Sequence, residues 1–205
     1  MLNLVLSEFY FKEKIAGHQN LKSHFLPLAL NHCKTAPTNW NCNVLTSRGT
    51  ESIDFAPFLN QFKSVVSSMC DAIGTNGPVE LRIESMWLNL YNENTWQETH
   101  NHSTHHNNIS FVYFINHDTA KDGEFFFLNE RSQHYSASGL HDVFRLAESL
   151  NINELCPIKI SEGDVILFPS HMRHGVTVQR HNTNRCTLAG NLLIIPQRNP
   201  SATAP

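Results

Sequence analysis

Apolar residues follow a helical period in the first part of the chain. Between residues 18 and 33 one apolar face at helical spacing is interrupted by Pro27. Its members are Leu21, Phe25, Leu28 and Leu30. A longer stripe between 55 and 73 ends at Gly74, and consists of Phe58, Phe62, Val65, Val66 and Met69. The pattern predicts two helices, the second with its stripe in the core.

Two further segments of this first part are not helical in pattern. Residues 4–11 (LVLSEFYF) are rich in apolar and aromatic residues and predict a first strand. Residues 34–53 are mostly polar and contain Pro37 and Gly49, so they predict a loop with one short strand.

From residue 81 the apolar residues alternate with polar ones, the period of a strand. The first strand of this part is 81–91. The other predicted strands are 97–103, 109–116, 123–128, 157–160, 164–168, 174–179 and 185–195. About eight short strands after two helices predict a mainly β fold: a double-stranded β-helix (jelly roll, cupin-like) buttressed by N-terminal helices.

The length of 205 residues suits one domain, 1–205. We divide it into an N-terminal strand with supporting helices (1–79), a jelly-roll core (80–196) and a tail (197–205). Within the core, 131–155 interrupts the strands. Its helically spaced residues are Leu140, Val143, Leu146 and Leu150. We interpret it as a helical insertion over the mouth of the barrel that selects the substrate.

Charge and composition limit the classes of binding partner and the compartment that the sequence predicts. The net charge is −3 with neutral histidine, so no general basic field favours nucleic acid. No apolar run approaches the length of a membrane span. The cysteines are odd in number and form no CxxC pair, which indicates reduced thiols and a cytoplasmic protein. They are Cys33, Cys42, Cys70, Cys156 and Cys186.

Three histidines form a candidate metal site. His100 and His102 are two residues apart after a strand, so in an extended segment their imidazoles share one face. His174 follows the apolar strand GDVILFP far downstream. Ferrous sites commonly use two histidines and one carboxylate, which leaves open positions for substrate and oxygen. Here His102 occupies the carboxylate position. The alternative is that His100 and His102 are exposed polar residues of a histidine-rich loop.

A polar strand face near the end of the chain indicates an anion site. Arg185, Thr187, Ala189 and Asn191 share one face of the strand 185–195. A guanidinium that points into a barrel needs a partner, because burying it unpaired is costly. The end of a dicarboxylate meets that need, since Arg185 binds it bidentately and Thr187 adds a hydroxyl. Asn89 and Tyr91 share a face of the strand before His100 and are candidates for the same acid. The alternative for Arg185 is a surface salt bridge.

These segments together resemble the Fe(II)/2-oxoglutarate-dependent oxygenases. The resemblance covers roughly residues 80–196 and is greatest to compact oxygenases of tailed-phage and marine bacterial genomes, in which an HxH replaces the usual HxD. WNCNVLTS (40–47) is also similar to that group. The segments of the core that carry the resemblance are WLNLY (87–91), QETHNH (97–102), SFVYF (110–114), GDVILFPSHMRHGV (163–176) and RCTLAGNL (185–192).

The resemblance implies a role for each candidate residue. The iron ligands fall on His100, His102 and His174. The arginine that binds 2-oxoglutarate falls on Arg185, with Thr187 at the usual hydroxyl position. Asn89 and Tyr91 are similar to the NxY pair that binds 2-oxoglutarate in alkylation-repair dioxygenases. The implied enzyme is a dioxygenase that uses Fe(II), 2-oxoglutarate and O2 to hydroxylate a C–H bond, releasing succinate and CO2.

Two other functions account for part of the pattern. A three-histidine cupin-type iron dioxygenase without 2-oxoglutarate accommodates His102 but leaves Arg185 without a role. A non-catalytic jelly roll with a structural metal is disfavoured, because closed zinc sites favour cysteine and no cysteine lies beside His100 or His174. The expected substrate is a small molecule or a peptide. The acidic charge disfavours a nucleobase, and aromatic Trp87, Tyr113 and Phe114 either border the substrate or belong to the core.

Overall fold

The computed structural model describes residues 8–38, 40–48, 53–143 and 153–197. Two antiparallel sheets lie face to face, and two helices cover the outer face of the larger one. This is the architecture of the double-stranded β-helix that the alternating pattern predicted. The two helices are α1 (His18–His32) and α2 (Ala56–Ile73).

The larger sheet has six strands in the order β1-β8-β5-β10-β3-β2. At its centre β10 pairs with β5 on one side and with β3 on the other. The strands are β1 (Phe11–Lys14), β2 (Leu45–Thr46), β3 (Val79–Tyr91), β5 (Ile109–Asn116), β8 (Asp164–Pro169) and β10 (Arg185–Pro196).

The smaller sheet has four strands in the order β4-β9-β6-β7. Its strands are β4 (Gln97–His100), β6 (Phe125–Leu128), β7 (Leu155–Pro157) and β9 (His174–Val176). Gly175, in the middle of β9, is required by close packing. A Cβ there would lie 2.8 Å from Phe126 Cζ and 3.0 Å from the carbonyl oxygen of Gln97. The glycine therefore lets β9 approach both neighbouring strands, including the one that carries His100.

Alternation along the central strands separates two apolar clusters. Even-numbered residues of β10, such as Cys186 and Leu188, face α1 and α2 in the outer cluster. Odd-numbered Ala189 belongs to the inner cluster between the sheets, together with Trp87. A strand period of two thus makes one strand serve both clusters. The inner one is the layer in which the candidate histidines and Arg185 are found.

The helices match the predictions except in detail. Helix α1 continues through Pro27 and buries Leu21, Phe25 and Ala29. Leu30 was predicted on that face but is exposed, because the buried face of the helix contains Ala29 instead. Helix α2 buries the predicted stripe completely: Phe58, Phe62, Val65, Val66 and Met69.

Several strands differ in extent from their predictions. The first strand begins at Phe11, where it pairs with Leu167 of β8; the prediction at 4–11 was wrong for residues 8–10, and its start lies outside the described residues. Strand β4 ends at His100, so the prediction of strand to residue 103 was also wrong. Strand β9 is only three residues long.

Two short helices, α3 (Ser132–Ala137) and α4 (Leu140–Val143), lie in the predicted insertion 131–155, whose last residue, Leu155, already begins β7. Leu146 and Leu150 lie outside the described residues, as does the tail after Gln197. The position of the insertion over the barrel mouth stays a prediction. Among the described residues, no helix is long and apolar enough to cross a membrane.

A candidate metal and anion site between the sheets

Two neighbouring strands of the smaller sheet and one loop bring the three candidate histidines together. His100, the last residue of β4, pairs directly with His174, the first residue of β9. His102 lies in the loop that follows β4. The ring centroids of His100 and His174 are 4.4 Å apart, and those of His102 and His174 are 5.3 Å apart. One ligand nitrogen from each of the three rings lies within 4.8 Å of the others.

Backbone carbonyls orient two of these rings. The Nδ1 atom of His100 is 2.7 Å from the carbonyl oxygen of Glu98, and that of His174 is 3.0 Å from the carbonyl oxygen of Met172. In each ring Nδ1 is then the protonated donor and Nε2 is the free acceptor, the arrangement usual for metal-binding histidine. The two imidazoles are therefore in the tautomer that can bind a cation.

The backbone of His102 is held by a polar network rather than by a strand. Its N–H donates to the carbonyl oxygen of Ser170 at 2.9 Å. Its carbonyl oxygen accepts from Asn107 Nδ2 at 2.7 Å. Ser110 Oγ bonds to Ser170 Oγ at 3.0 Å and to Asn191 Oδ1 at 2.8 Å. These contacts fix His102 against β5 and β10, although it stands beyond the end of β4.

Burial keeps the three imidazoles neutral. Desolvation lowers the pKa of His100 and, more strongly, that of His174. Burial, with the adjacent His100 and Arg48, lowers the pKa of His102 to about 3. At neutral pH each ring therefore has a lone pair available, and a divalent cation can bind without displacing protons. No carboxylate of the described residues joins the group of three.

Arg185 is the most unusual side chain near this cluster. It is 0% exposed, yet none of its three guanidinium nitrogens has a hydrogen-bond partner among the described residues. Burial lowers its pKa, and the nearest compensation is the face of Tyr91, whose ring centre is 4.5 Å from Cζ. A buried guanidinium without hydrogen bonds is costly, so its nitrogens indicate a site for an anion.

Three more predicted residues line the same cavity as that guanidinium. Tyr91 stands directly opposite Arg185 in the β3–β10 register, and Asn89 stands opposite Thr187. The hydroxyl oxygen of Thr187 is buried without a hydrogen-bond partner among the described residues. The hydroxyl of Tyr91 donates to Gln97 Oε1 at 2.7 Å. Tyr91 therefore meets Arg185 through the face of its ring and not through its hydroxyl. All four side chains line the same narrow cavity as the three histidines.

The aromatic residues considered as substrate neighbours divide between the two clusters. Trp87 and Phe114 line the cavity. The Trp87 ring centre is 5.6 Å from that of His102. Tyr113 points the other way, into the outer cluster, where its hydroxyl is 2.8 Å from Nδ1 of His18. The strand period of two explains the difference between Tyr113 and Phe114.

Sequence reasoning missed several residues of the site. Gln97 anchors Tyr91, and Ser110 with Asn107 and Ser170 supports His102. The signal for Ser110 was present, because it alternates with Val112 and Phe114 on the inner face of β5. The parts played by Gln97 and Asn107 depend on contacts across the fold, which the local pattern does not encode.

Comparison with protein families identifies one match. The family model described as "Putative 2OG-Fe(II) oxygenase" matches residues 85–191, more than half of the chain. The matched segment begins within β3 and ends within β10, so it contains all three histidines and Arg185. None of the curated proteins matches the chain significantly in sequence.

Solved structures share the fold at low sequence identity. HygX of Streptomyces hygroscopicus, solved with nickel, 2-oxoglutarate and hygromycin B, has a TM-score of 0.60 and 12% identity over 90% of this chain and 82% of that one. A prolyl-4-hydroxylase of Pseudomonas putida has a TM-score of 0.57 and 10% identity, covering 94% and 95% of the two chains. A 2OG-Fe(II) oxygenase family oxidoreductase of Burkholderia pseudomallei has a TM-score of 0.57 and 14% identity, covering 86% and 79%.

Proposed function

The chain belongs to the 2OG-Fe(II) oxygenase family, and we propose that it is a dioxygenase that hydroxylates a C–H bond of a small-molecule or peptide substrate. Iron(II) and 2-oxoglutarate are the cofactor and co-substrate of this family of enzymes, with O2 as the oxidant. The observation that carries the assignment of the site is a buried, unpartnered Arg185 in the cavity of the three-histidine cluster.

The histidine cluster fits a ferrous ion. Imidazole is a suitable ligand for iron(II), and one nitrogen of each ring is available in a group no wider than 4.8 Å. His100, His102 and His174 would hold the metal. Because all three rings are neutral, they leave the charge of the ion uncancelled. An anionic co-substrate would then complete the site electrostatically.

Arg185 and its neighbours fit the distal carboxylate of 2-oxoglutarate. The guanidinium offers unpaired nitrogens for a bidentate contact, and Thr187 offers a buried hydroxyl beside it. The ring of Tyr91 packs against the guanidinium and holds it in position. Asn89, across from Thr187, lies within the same cavity and would contact the acid as well. The three-histidine cupin alternative gives this pocket no function.

The bound metal and 2-oxoglutarate together supply oxidative decarboxylation, which yields succinate and CO2 and couples O2 to hydroxylation. The residues of the chain orient and enclose that chemistry. Trp87, Phe114 and Phe168 surround the histidines with apolar surface, which excludes bulk water. The network around Ser110 holds His102 in place while the other two rings are fixed by carbonyls.

We also propose a cytoplasmic setting without nucleic-acid partners. Cys33, Cys42 and Cys186 are buried thiols rather than disulfides, which suits a reducing compartment. Burial raises the pKa of Cys33 to about 12 and strongly raises that of Cys186, so both are unreactive. The net charge of −3 offers no attraction to a phosphate backbone.

The function is tested by succinate release. Purified protein supplied with Fe(II), O2 and 2-oxoglutarate should form succinate, and omission of iron or oxygen should abolish it. Arg185→Ala should weaken 2-oxoglutarate binding while metal binding is retained. Arg180→Ala is the matched control, because Arg180 is exposed at the surface. Loss of iron with unchanged 2-oxoglutarate affinity in Arg185→Ala would contradict the role of Arg185.

A further inference from the structure

A second arginine stands near the histidine cluster, outside the pocket of Arg185. The guanidinium carbon of Arg48 lies 4.3 Å from the centre of the Trp87 ring. The centre of that ring is 5.6 Å from the centre of the His102 ring, so Trp87 is next to both the arginine and the cluster. On the side of His100, the ring of Trp40 is 4.4 Å away. Arg48 and Trp40 thus border the cluster with one cation and one aromatic surface.

The backbone beneath Arg48 is fastened to β3. Ser47 N–H donates to the carbonyl oxygen of Leu88 at 3.0 Å, and Ser47 Oγ accepts from Leu88 N–H at 2.9 Å. The N–H of Arg48 donates to Thr46 Oγ1 at 3.2 Å. Because Trp87 is the neighbour of Leu88 on the same strand, the arginine and its aromatic support are held together. This arrangement holds the backbone of Arg48 beside the strand that carries Trp87.

The guanidinium of Arg48 has no ion-pair partner in the described part of the chain. Its guanidinium contacts the Trp87 ring and makes no ion pair or hydrogen bond with any described residue. Arg173 offers the contrast, since its guanidinium is 3.3 Å from the carboxylate of Glu130. Arg48 is also exposed, so a ligand can reach it.

Charge balance at the site favours an anionic ligand there. In this cluster His102 replaces the carboxylate that would normally cancel one charge of the metal. A dianionic 2-oxoglutarate would offset a divalent ion, and Asp122 is the acidic group that acts on Arg185. Arg48 adds a positive charge beside His100 and His102, where Glu98 is the acidic group that acts on His100. Like charges near one another in a partly desolvated site repel, and an oxyanion would relieve that repulsion.

We propose that Arg48 binds an oxyanion of the substrate, so that the enzyme acts on a carboxylate- or phosphate-bearing molecule whose apolar part lies against Trp40. This inference rests on the proposed function, because it takes the three-histidine cluster as the reaction centre. The oxyanion is held beside the metal rather than on it. Arg48 is therefore a specificity residue for the substrate, distinct from the co-substrate site of Arg185.

The test measures binding of three probes to the protein loaded with Mn(II) and saturating 2-oxoglutarate. The probes 3-phenylpropionate, phenethyl phosphate and 3-phenylpropionamide share a phenyl ring and differ in their head group. By isothermal titration calorimetry at least one anion should bind ~10-fold or more tighter than the amide, the effect of one charge-assisted hydrogen bond. The order of the two anions identifies carboxylate or phosphate as the preferred group.

Variants assign that preference to Arg48. Arg48→Gln should remove the difference between the anions and the amide, and Arg48→Lys should keep part of it. Arg180→Gln is the matched control and should retain the full preference. If wild-type protein binds the amide as tightly as both anions, binds neither anion at millimolar concentration, or keeps its preference in Arg48→Gln, the proposal is overturned.

Two measurements separate this inference from the proposed function. Affinity for 2-oxoglutarate is determined for Arg48→Gln and Arg185→Ala side by side. A loss in Arg48→Gln as large as that in Arg185→Ala would assign Arg48 to the co-substrate and overturn the inference alone. Failure of the wild-type protein to form succinate would overturn the proposed function, whatever the ranking of the probes.

Discussion

Arg185 and Tyr91 face each other across β10 and β3, with the guanidinium carbon 4.5 Å from the centre of the tyrosine ring. The aromatic face partly offsets the charge, but it supplies no hydrogen-bond acceptor to the buried nitrogens. The pair is thus arranged for a ligand that provides oxygen atoms. It also makes the unliganded protein less stable than it could be.

Replacing Arg185 by Met should therefore stabilise the unliganded protein while removing its response to 2-oxoglutarate. We expect the free energy of unfolding to rise by about 1–3 kcal/mol, because a buried charge without hydrogen-bond partners is replaced by an apolar side chain. Thermal denaturation with and without 2-oxoglutarate measures both effects. Arg180→Met should change neither. A less stable Arg185→Met protein would mean that Tyr91 already compensates the charge.

Each of the three imidazoles should contribute to metal affinity. His100→Ala and His174→Ala remove rings whose Nδ1 atoms are fixed by carbonyls, so each should weaken Mn(II) binding by at least about 10-fold. His102→Ala should weaken it as well, because a nitrogen of this ring belongs to the same group of three. Calorimetric titration with Mn(II) measures the effect. His171→Ala is the control, since His171 is exposed beside Glu8; unchanged affinity in His102→Ala would leave only two histidine ligands.

Gly175→Ala should disturb the site through packing. The added methyl would lie 2.8 Å from Phe126 Cζ and 3.0 Å from the carbonyl oxygen of Gln97, so the Phe126 ring must shift and β9 and β4 must separate by a few tenths of an ångström. We expect a loss of about 1–3 kcal/mol in stability and weaker Mn(II) binding, because His174 moves with β9. Adding Phe126→Leu should recover part of the stability. Denaturant titration tests this; equal stability of Gly175→Ala and wild type would contradict it.

Asp122 should make stability depend on pH in the acidic range. Burial alone would raise the pKa of this carboxyl, but His117, Thr183, the Asp118 N–H and Gln179 together lower it. The folded pKa is thus below the unfolded value of about 3.9, so the stabilisation is present above about pH 4 and is lost as pH falls further. Asp122→Asn should be less stable than wild type at neutral pH, and the difference should shrink at low pH. Chemical denaturation across this range measures it, and a constant difference would contradict the assignment.

Most of the fold was predictable because it follows from local alternation. The inner and outer faces of β3, β5 and β10 follow the period of two, which also grouped Arg185 with Thr187 and Asn89 with Tyr91. The central position of β10 was not predictable, since it depends on pairing with β5 and β3. Nor was the start of β1 at Phe11, which is determined by its register with Leu167.

The same limit applies to the candidate site. The spacing of His100 and His102 predicted convergence for the wrong structural reason, because His102 lies beyond the strand and is held by Ser170 and Asn107. Arg48 was not predicted, because a lone arginine in a polar loop has no local signature. The position of Arg48 near the histidine cluster depends on its contact with Trp87, which is far from it in sequence.

The histidines belong to the smaller sheet and its adjoining loop, whereas Arg185 belongs to the larger sheet. A keto acid that is bound to the metal and to Arg185 would bridge the two layers. Such a bridge would oppose transient separation of the two sheets. Amide hydrogen exchange should therefore slow in β9 and β10 together when both ligands are present. Ligand binding at the site and the packing of the two sheets against each other are therefore coupled.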